Sequence, residues 1–213
     1  MTHAPDHGHA FDQDYWQQHW RSRTSGPGSM ATNPPNPHLV RETAGLTPGT
    51  ALDAGCGVGA EALWLAARGW RVTAVDISAE ALAVAAGRGA GSGVEWVEAD
   101  LGDWEPETSF DLVMTHYAHP AMPQLDFYQR IAGWVGVGGT LLVVGHLPSA
   151  AGTAGHQHQA PAEATATVAG ITARLDADRW EVVTAEERSR TVPGHDGRER
   201  ALSDVVVRAR RRG

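Results

Sequence analysis

The stretch "LDAGCGVGAEA", Leu52 to Ala62, constrains the fold more than any other part of the chain. A short apolar run, "TALDAGC", reads as a strand that feeds into glycines at Gly55, Gly57 and Gly59, and helix-forming residues follow at once. Glycine is needed where a chain turns sharply off a strand and its backbone must approach a ligand closely. In open α/β sheets ligands sit beyond the carboxyl ends of the strands, which is where this loop falls. The same residues meet the pattern Gly-x-Gly-x-x-Gly/Ala, with Ala60 in the last place, so the loop alone also suits a dinucleotide.

The chain beyond the loop repeats the strand-then-helix theme. "HLVRETAGL" predicts a short helix stopped by Gly45 and the Pro48–Gly49 turn. "AEALWLAARG" predicts a helix with Leu63 and Ala66 or Ala67 on one face, "RVTAVDIS" a strand rich in β-branched residues, and "AEALAVAAGRG" a helix capped by Ser78. "VEWVEAD" and "FDLVMTHY" predict the third and fourth strands, "QLDFYQRIAGWV" a helix and "GGTLLVVGHL" the fifth strand. Strands alternating with helices imply a doubly wound, mostly parallel sheet covered on both faces. The end of the chain differs. "RWEVVTAEERSRTV" and "ALSDVVVRARR" flank "PGHDGRE" with its Asp-Gly turn signal, which predicts a C-terminal antiparallel hairpin. The segment "PSAAGTAGHQHQAPAEA" is small and polar enough to be a mobile connection before a helix near 165–176. The organisation expected is a leader, 1–37, and an α/β domain, 38–213, with no internal repeat.

Bulk properties remove several classes of function. Formal net charge is −8, which gives no electrostatic support to nucleic-acid binding, and the basic run Arg208 to Arg212 reads as a solvated strand end. Cys56 is the single cysteine, so no internal disulfide forms. No apolar run nears the ~20 residues of a membrane span, and "MTHAPDHGHA" has neither the basic start nor the apolar stretch of a signal peptide. A cytoplasmic location without membrane or nucleic-acid partners is expected. His3, His7 and His9, and the pair His156 and His158, lack the cysteines or rigid helix of a zinc site, so no metal is expected.

Three acids stand at successive strand ends. Asp53 precedes the first loop glycine, where a carboxylate favours an amine-bearing or cationic ligand and opposes a pyrophosphate. Asp76 ends the second strand, placed to accept from ribose hydroxyls. Asp100 ends the third, where it can accept from an adenine amino group. Taken singly, each could equally be a turn or helix cap.

In order and separation, "LDAGCGVGA", "VTAVDIS", "VEWVEADL", "FDLVMTHY" and "GVGGTLLVV" resemble the successive motifs of class I S-adenosylmethionine-dependent methyltransferases. The closing hairpin is similar to the antiparallel last strand of that family, so the resemblance covers about residues 38–212. The small size and the "YWQQHW" leader look most like the thiopurine and tellurite-resistance branch. The resemblance implies a Rossmann-like seven-stranded sheet and S-adenosylmethionine as cofactor, with S-adenosylhomocysteine as product. It implies that Gly55, Cys56 and Gly57 run against the methionine portion, with Gly59 completing the loop and Asp53 organising it. Asp76 would hold the ribose, Ile77 pack on adenine, and Asp100, with the Leu101 backbone beside it, take the adenine amino group. Cys56 then needs no chemistry of its own.

A methyl sulfonium is already an activated electrophile, so such an enzyme chiefly positions its acceptor. If a base is used, "THYAHP" is the place to seek it: His116 first, His119 second, and His146 as a third candidate, with Tyr117 shaping the pocket. The bland alternative is that these are loop histidines bonded to backbone. In "YWQQHWRS", Trp16 and Trp20 lie four residues apart and share one helix face, beside Tyr15. They suit a lid helix over the cofactor crevice that excludes water and frames an apolar acceptor. The alternative is a brace on the sheet edge or a dimer contact. The function expected is methyl transfer to a small-molecule acceptor, with a soft sulfur or chalcogen nucleophile or a heteroaromatic favoured, by a monomer or homodimer. The competing readings are an NAD(P)-dependent oxidoreductase, weakened by the absence of any Tyr-x-x-x-Lys pair in a chain without lysine, and a non-catalytic S-adenosylmethionine-binding sensor.

Overall fold

The computed structural model describes residues 11–24, 32–148, 161–193 and 199–213. The histidines at 3, 7, 9, 156 and 158, most of the expected mobile connection, and the turn at 194–198 lie outside the described residues.

Seven strands form one sheet: β1 Thr50–Ala54, β2 Arg71–Asp76, β3 Glu95–Glu98, β4 Phe110–His116, β5 Val135–His146, β6 Trp180–Pro193 and β7 Glu199–Arg211. Their order is β3-β2-β1-β4-β5-β7-β6. Strands β1 to β5 pair in parallel, and β7 pairs antiparallel with both β5 and β6. Among the described residues six α-helices accompany them: α1 Gln13–Arg23, α2 Pro37–Thr43, α3 Ala60–Ala66, α4 Ala79–Arg88, α5 Gln124–Ala132 and α6 Val168–Thr172.

Alternation along the strands splits the core into two layers, because successive side chains of a strand point to opposite faces. Leu52, Val75, Val113, Leu141 and Val143 face the layer that contains Phe127 and Ile131 of α5 and Ile171 of α6. Their neighbours Ala51, Ala74, Leu112, Met114, Leu142 and Val144 face the layer with Leu39 of α2, Leu65 of α3 and Leu82 of α4. The central strands are therefore apolar on both faces, as a sheet covered on both sides requires.

Local chemistry sets where the helices begin. Asp12 accepts from the Tyr15 N–H to start α1, Asn36 accepts from His38 N–H ahead of Pro37, and Ser78 accepts from Ala81 N–H as expected. Strand order reverses between β1 and β4, since β2 and β3 lie to one side and β5 to the other. The carboxyl ends of β1 and β4 consequently frame the crevice in which an open α/β sheet takes its ligand.

Candidate cofactor and acceptor site

The glycine loop leaves β1 in left-handed turns, with φ of 82° at Gly55, 51° at Gly57 and 77° at Gly59. Two of these glycines are also required by space. A Cβ on Gly55 would collide with that of Ala118, and one on Gly57 would lie 2.6 Å from the Trp20 ring. The loop is pinned to its neighbour strand, since Gly55 and Cys56 donate to the Val75 carbonyl at 2.9 and 3.0 Å.

Asp76, buried at the end of β2, ties the loop together. One carboxylate oxygen accepts from Gly57 N–H at 2.8 Å and the other from Ser78 N–H at 2.9 Å. Burial raises its pKa, and these backbone donors hold part of that rise back. Asp53, at the end of β1, is also buried, and its Oδ2 has no hydrogen-bond partner among the described residues. Burial first, then the nearby Glu61 and Asp76 carboxyls, push the Asp53 pKa well above the ordinary carboxylate range. Glu61, in the first turn of α3, accepts from Asn36 N–H at 2.9 Å, and burial raises its pKa too. The Cys56 thiol is pushed up by burial and then by Asp76 and Asp53, so it stays protonated and packs as a small apolar group. Three carboxyl groups thus gather around the glycine loop.

The third acid sits differently from its expected place. β3 ends at Glu98, so Asp100 lies in the turn beyond it. There it accepts from Gly102 N–H at 2.8 Å, and its carbonyl accepts from Asp103 and Trp104. Leu101 is buried in the α5 layer with its carbonyl bound by Arg130 at 2.9 Å. Ile77 is half-buried directly after Asp76.

Helix α1 lies across these strand ends. Gln13 donates to the Ile77 carbonyl at 3.4 Å and to Glu98 at 3.1 Å. Gln17 accepts from the Ser78 hydroxyl at 2.9 Å and from Glu80 N–H at 3.1 Å, and Arg21 pairs with Glu80 at 2.9 Å. Trp20 covers Gly57, and the Trp16 indole N–H donates to the His119 carbonyl at 3.2 Å. Phe11, which leads into the helix, stacks on Trp16 at 6.1 Å, and Tyr15 meets Trp16 edge-on at 5.1 Å. Polar residues that the sequence reading passed over, Gln13, Gln17 and Arg21, fix the helix as much as its tryptophans do.

The β4–α5 segment supplies the opposite wall. Tyr117 has a φ of 58°, a strained conformation for a residue with a Cβ, of the kind that clusters at functional sites. Its ring stacks on His146 at 4.5 Å, and its hydroxyl accepts from Asn36 at 3.3 Å. His119 stands among Phe11, Trp16 and His146, with ring centroids 5.7, 6.3 and 5.5 Å away. Burial, then His146, lowers its pKa to about 4. His116 ends β4 with both ring nitrogens buried and without a partner among the described residues. Burial, with a smaller push from His38, lowers its pKa to about 3. So weakly basic a ring is neutral at pH 7.

Two further groups here were not legible in the sequence. His38, at the start of α2, meets Asp204 of β7 at 3.2 Å, both buried, across 166 positions of chain. Gln124, the first residue of α5, is buried against His119. Neither lies in a motif, because each pairing is made by the fold. Among the described residues no helix is long and apolar enough to cross a membrane, and no group of three or more His, Cys, Asp or Glu could hold a metal ion.

Residues 51–139 match the family model described as a methyltransferase domain. An uncharacterized methyltransferase of Mycobacterium tuberculosis is 42% identical over 95 residues, covering 44% of this chain and 48% of that protein. The chain thus spans about half the length of the curated relatives it matches. Among solved structures, 1,6-didemethyltoxoflavin-N1-methyltransferase of Burkholderia thailandensis, crystallised with its acceptor and S-adenosylhomocysteine, aligns over 100% of this chain and 92% of its own, at 22% identity and a TM-score of 0.65. The N-methyltransferase NodS of Bradyrhizobium japonicum, in complex with S-adenosylhomocysteine, aligns over 92% of this chain and 97% of its own, at 16% identity and a TM-score of 0.64. Likeness at that identity speaks for the fold. Residues 51–139 are therefore similar to a methyltransferase domain, and the chain shares its fold with these methyltransferases of known structure.

Proposed function

We propose that this chain binds S-adenosylmethionine at the glycine loop and transfers its methyl group to a small, planar heteroaromatic or soft sulfur acceptor. The observation that carries the reading is the gathering of Asp53, Glu61 and Asp76 around a loop of left-handed glycines. A dinucleotide pyrophosphate at this loop would face three carboxyl groups. A bound ammonium or sulfonium would offset the burial and mutual repulsion that raise these carboxyls, and the unpartnered Asp53 Oδ2 gives such a cation an acceptor. This electrostatic sign favours S-adenosylmethionine over NAD(P).

S-adenosylmethionine, when bound, supplies a methyl group already activated by the positive sulfur. The chain's own residues do the rest. Gly55 and Gly57 let the backbone approach the methionine portion, and Asp76 has oxygen lone pairs left for the ribose beside its two backbone donors. Ile77 and Asp100 flank the adenine position, Ile77 by contact and Asp100 by the carboxylate oxygen left over from its turn. Helix α1 is the lid: Trp16, Trp20, Tyr15 and Phe11 exclude water, and with Tyr117, His119 and His146 they frame the acceptor. Orientation in such a site contributes ~7–11 kcal/mol in well-arranged systems.

The neutral, weakly basic histidines favour an acceptor that attacks through a lone pair it already has. Heteroaromatic nitrogen and sulfur nucleophiles meet that condition, and an aromatic wall suits a planar ring. The Burkholderia neighbour, named for N1-methylation of a didemethyltoxoflavin, is consistent with such an acceptor. The test is a methylation screen that follows release of S-adenosylhomocysteine across heteroaromatic nitrogen acceptors, thiols, phenols and aliphatic amines. Turnover concentrated in the first two classes supports the reading. Turnover only with aliphatic amines, or none across the panel with cofactor bound, overturns it, the latter in favour of a sensor.

A further inference from the structure

Gln124 is held from two sides at the start of α5. Its amide nitrogen donates to the Ala118 carbonyl at 2.9 Å. A carbonyl can only accept, so this bond fixes which way the amide faces. The amide oxygen is then the atom 3.3 Å from His119 Nδ1. An amide oxygen can only accept as well, so the proton of the neutral ring sits on Nδ1. Tyr128, buried one turn further along α5, hydrogen-bonds the Gln124 side chain and keeps it in place.

The consequence falls on the other nitrogen. Nε2 carries a lone pair, and no hydrogen bond from another described residue takes it up. The ring bearing it stands among Phe11, Trp16 and His146, and Trp16 is bound to the backbone of the same histidine. This is the wall assigned above to the acceptor.

We infer that Gln124 is a positioning residue that locks His119 as its Nδ1–H tautomer, so that Nε2 receives a hydrogen bond from an acceptor carrying a proton on its attacking atom. The inference rests on the methyltransferase reading and narrows its acceptor class to neutral N–H or S–H nucleophiles. The step balances. The bond from cofactor sulfur to methyl carbon breaks as the bond from the acceptor atom to that carbon forms, so positive charge passes from sulfur to the acceptor. The N–H or S–H proton of the acceptor moves to Nε2 and from there to solvent. A ring of low basicity suffices, because the acceptor proton becomes acidic as positive charge builds on the attacking atom, so the hydrogen bond to Nε2 strengthens in the transition state and the proton passes over within the transfer step. His119 held at about 4 is free of protons at pH 7 and still able to take one from such a species.

The first measurement needs no substrate. In the full chain labelled with 15N-histidine, His119 signals are assigned by comparison with His119→Asn. Nε2 is expected to give an acceptor-type signal at pH 7 and Nδ1 a donor-type signal. In Gln124→Leu the ring is expected to shift toward the Nε2–H tautomer, whereas Gln124→Glu, which keeps an acceptor oxygen at Nδ1, restores the original tautomer and moves its titration to higher pH. An Nε2–H ring in the wild-type protein, or an unaltered tautomer in Gln124→Leu, overturns the proposal. Should Gln124→Leu not fold, the wild-type tautomer and the Gln124→Glu titration still decide.

The second measurement uses turnover. Gln124→Leu is expected to lower kcat by roughly 10²-fold for acceptors with N–H or S–H, the scale of one proton-transfer contribution. It is expected to do much less for a pyridine-type nitrogen, and to leave S-adenosylhomocysteine affinity unchanged. An equal loss for both acceptor types reduces Gln124 to packing and overturns the proposal. If wild-type protein fails to bind S-adenosylhomocysteine, the methyltransferase reading falls instead, while the tautomer result still stands on its own.

Discussion

Replacing His116 with leucine should make the protein less sensitive to acid. The ring is buried at the end of β4 with neither nitrogen partnered, and its pKa is lowered to about 3 from an ordinary value near 6.5. The folded state therefore keeps the ring neutral where the unfolded chain protonates it. Between about pH 6.5 and about pH 3 the unfolded state binds the extra proton, so wild-type stability falls as pH falls through that window. At pH 5 the unfolded ring lies about 1.5 units below its pKa while the folded ring is still neutral, a penalty of about 2 kcal/mol at ~1.4 kcal/mol per unit. At pH 7.5 the penalty is close to nil. His116→Leu abolishes it and removes two unpaired buried nitrogens, whose replacement by apolar atoms of similar shape is neutral or stabilising. Urea unfolding at pH 7.5 and pH 5 measures the difference. The gain of His116→Leu over wild type should be larger at pH 5 by about 2 kcal/mol. His119, depressed in the same way, is present in both proteins and cancels. Parallel stability profiles for the two proteins across that pH range would refute the reasoning and place the His116 ring in contact with water or with a partner.

Gly57→Ala forces an alanine into a left-handed turn, at a cost of about 1–2 kcal/mol, and drives its Cβ into the Trp20 ring. In a Trp20→Ala background only the first cost remains, so a thermal or urea double-mutant cycle should show a coupling within the ~0.5–3 kcal/mol usual for touching residues, and strict additivity would separate helix from loop. Deleting residues 1–24 should leave a cooperatively folding domain, since Phe11 is the one buried residue among those described in that segment, while S-adenosylhomocysteine binds more weakly. Loss of the folding transition in circular dichroism would make α1 a brace and not a lid.

The parts of this molecule that repeat at short range were legible in its sequence. Ser78 and the glycines of the loop announce a strand, a turn and a helix within a few residues, and each lies where they imply. Trp16 and Trp20 share a helix face by spacing alone, and α1 runs Gln13–Arg23. What joins distant segments was not legible. No spacing rule links His38 to Asp204, or Trp16 to the carbonyl of His119 103 positions away. Burial was hidden for the same reason. His116 closes an alternating strand and looks like a residue that points at a ligand, but its basicity is set first by burial and then by His38 of α2, 78 positions away. Asp100 shows a boundary effect, since β3 stops at Glu98 and its turn takes one carboxylate oxygen.

The central claim is that the glycine loop and the Asp76 carboxylate hold S-adenosylmethionine and not a dinucleotide. Isothermal titration of the full chain with S-adenosylhomocysteine, and separately with NADH and NADPH, tests it most directly, with Asp76→Ala measured alongside. The account predicts saturable one-to-one binding of S-adenosylhomocysteine, weakened in folded Asp76→Ala by ~1.5–3 kcal/mol, roughly tenfold to over a hundredfold, and no heat of binding from either nicotinamide cofactor. Binding of NADH or NADPH to the wild-type chain, or S-adenosylhomocysteine affinity that is unchanged in Asp76→Ala, would contradict it.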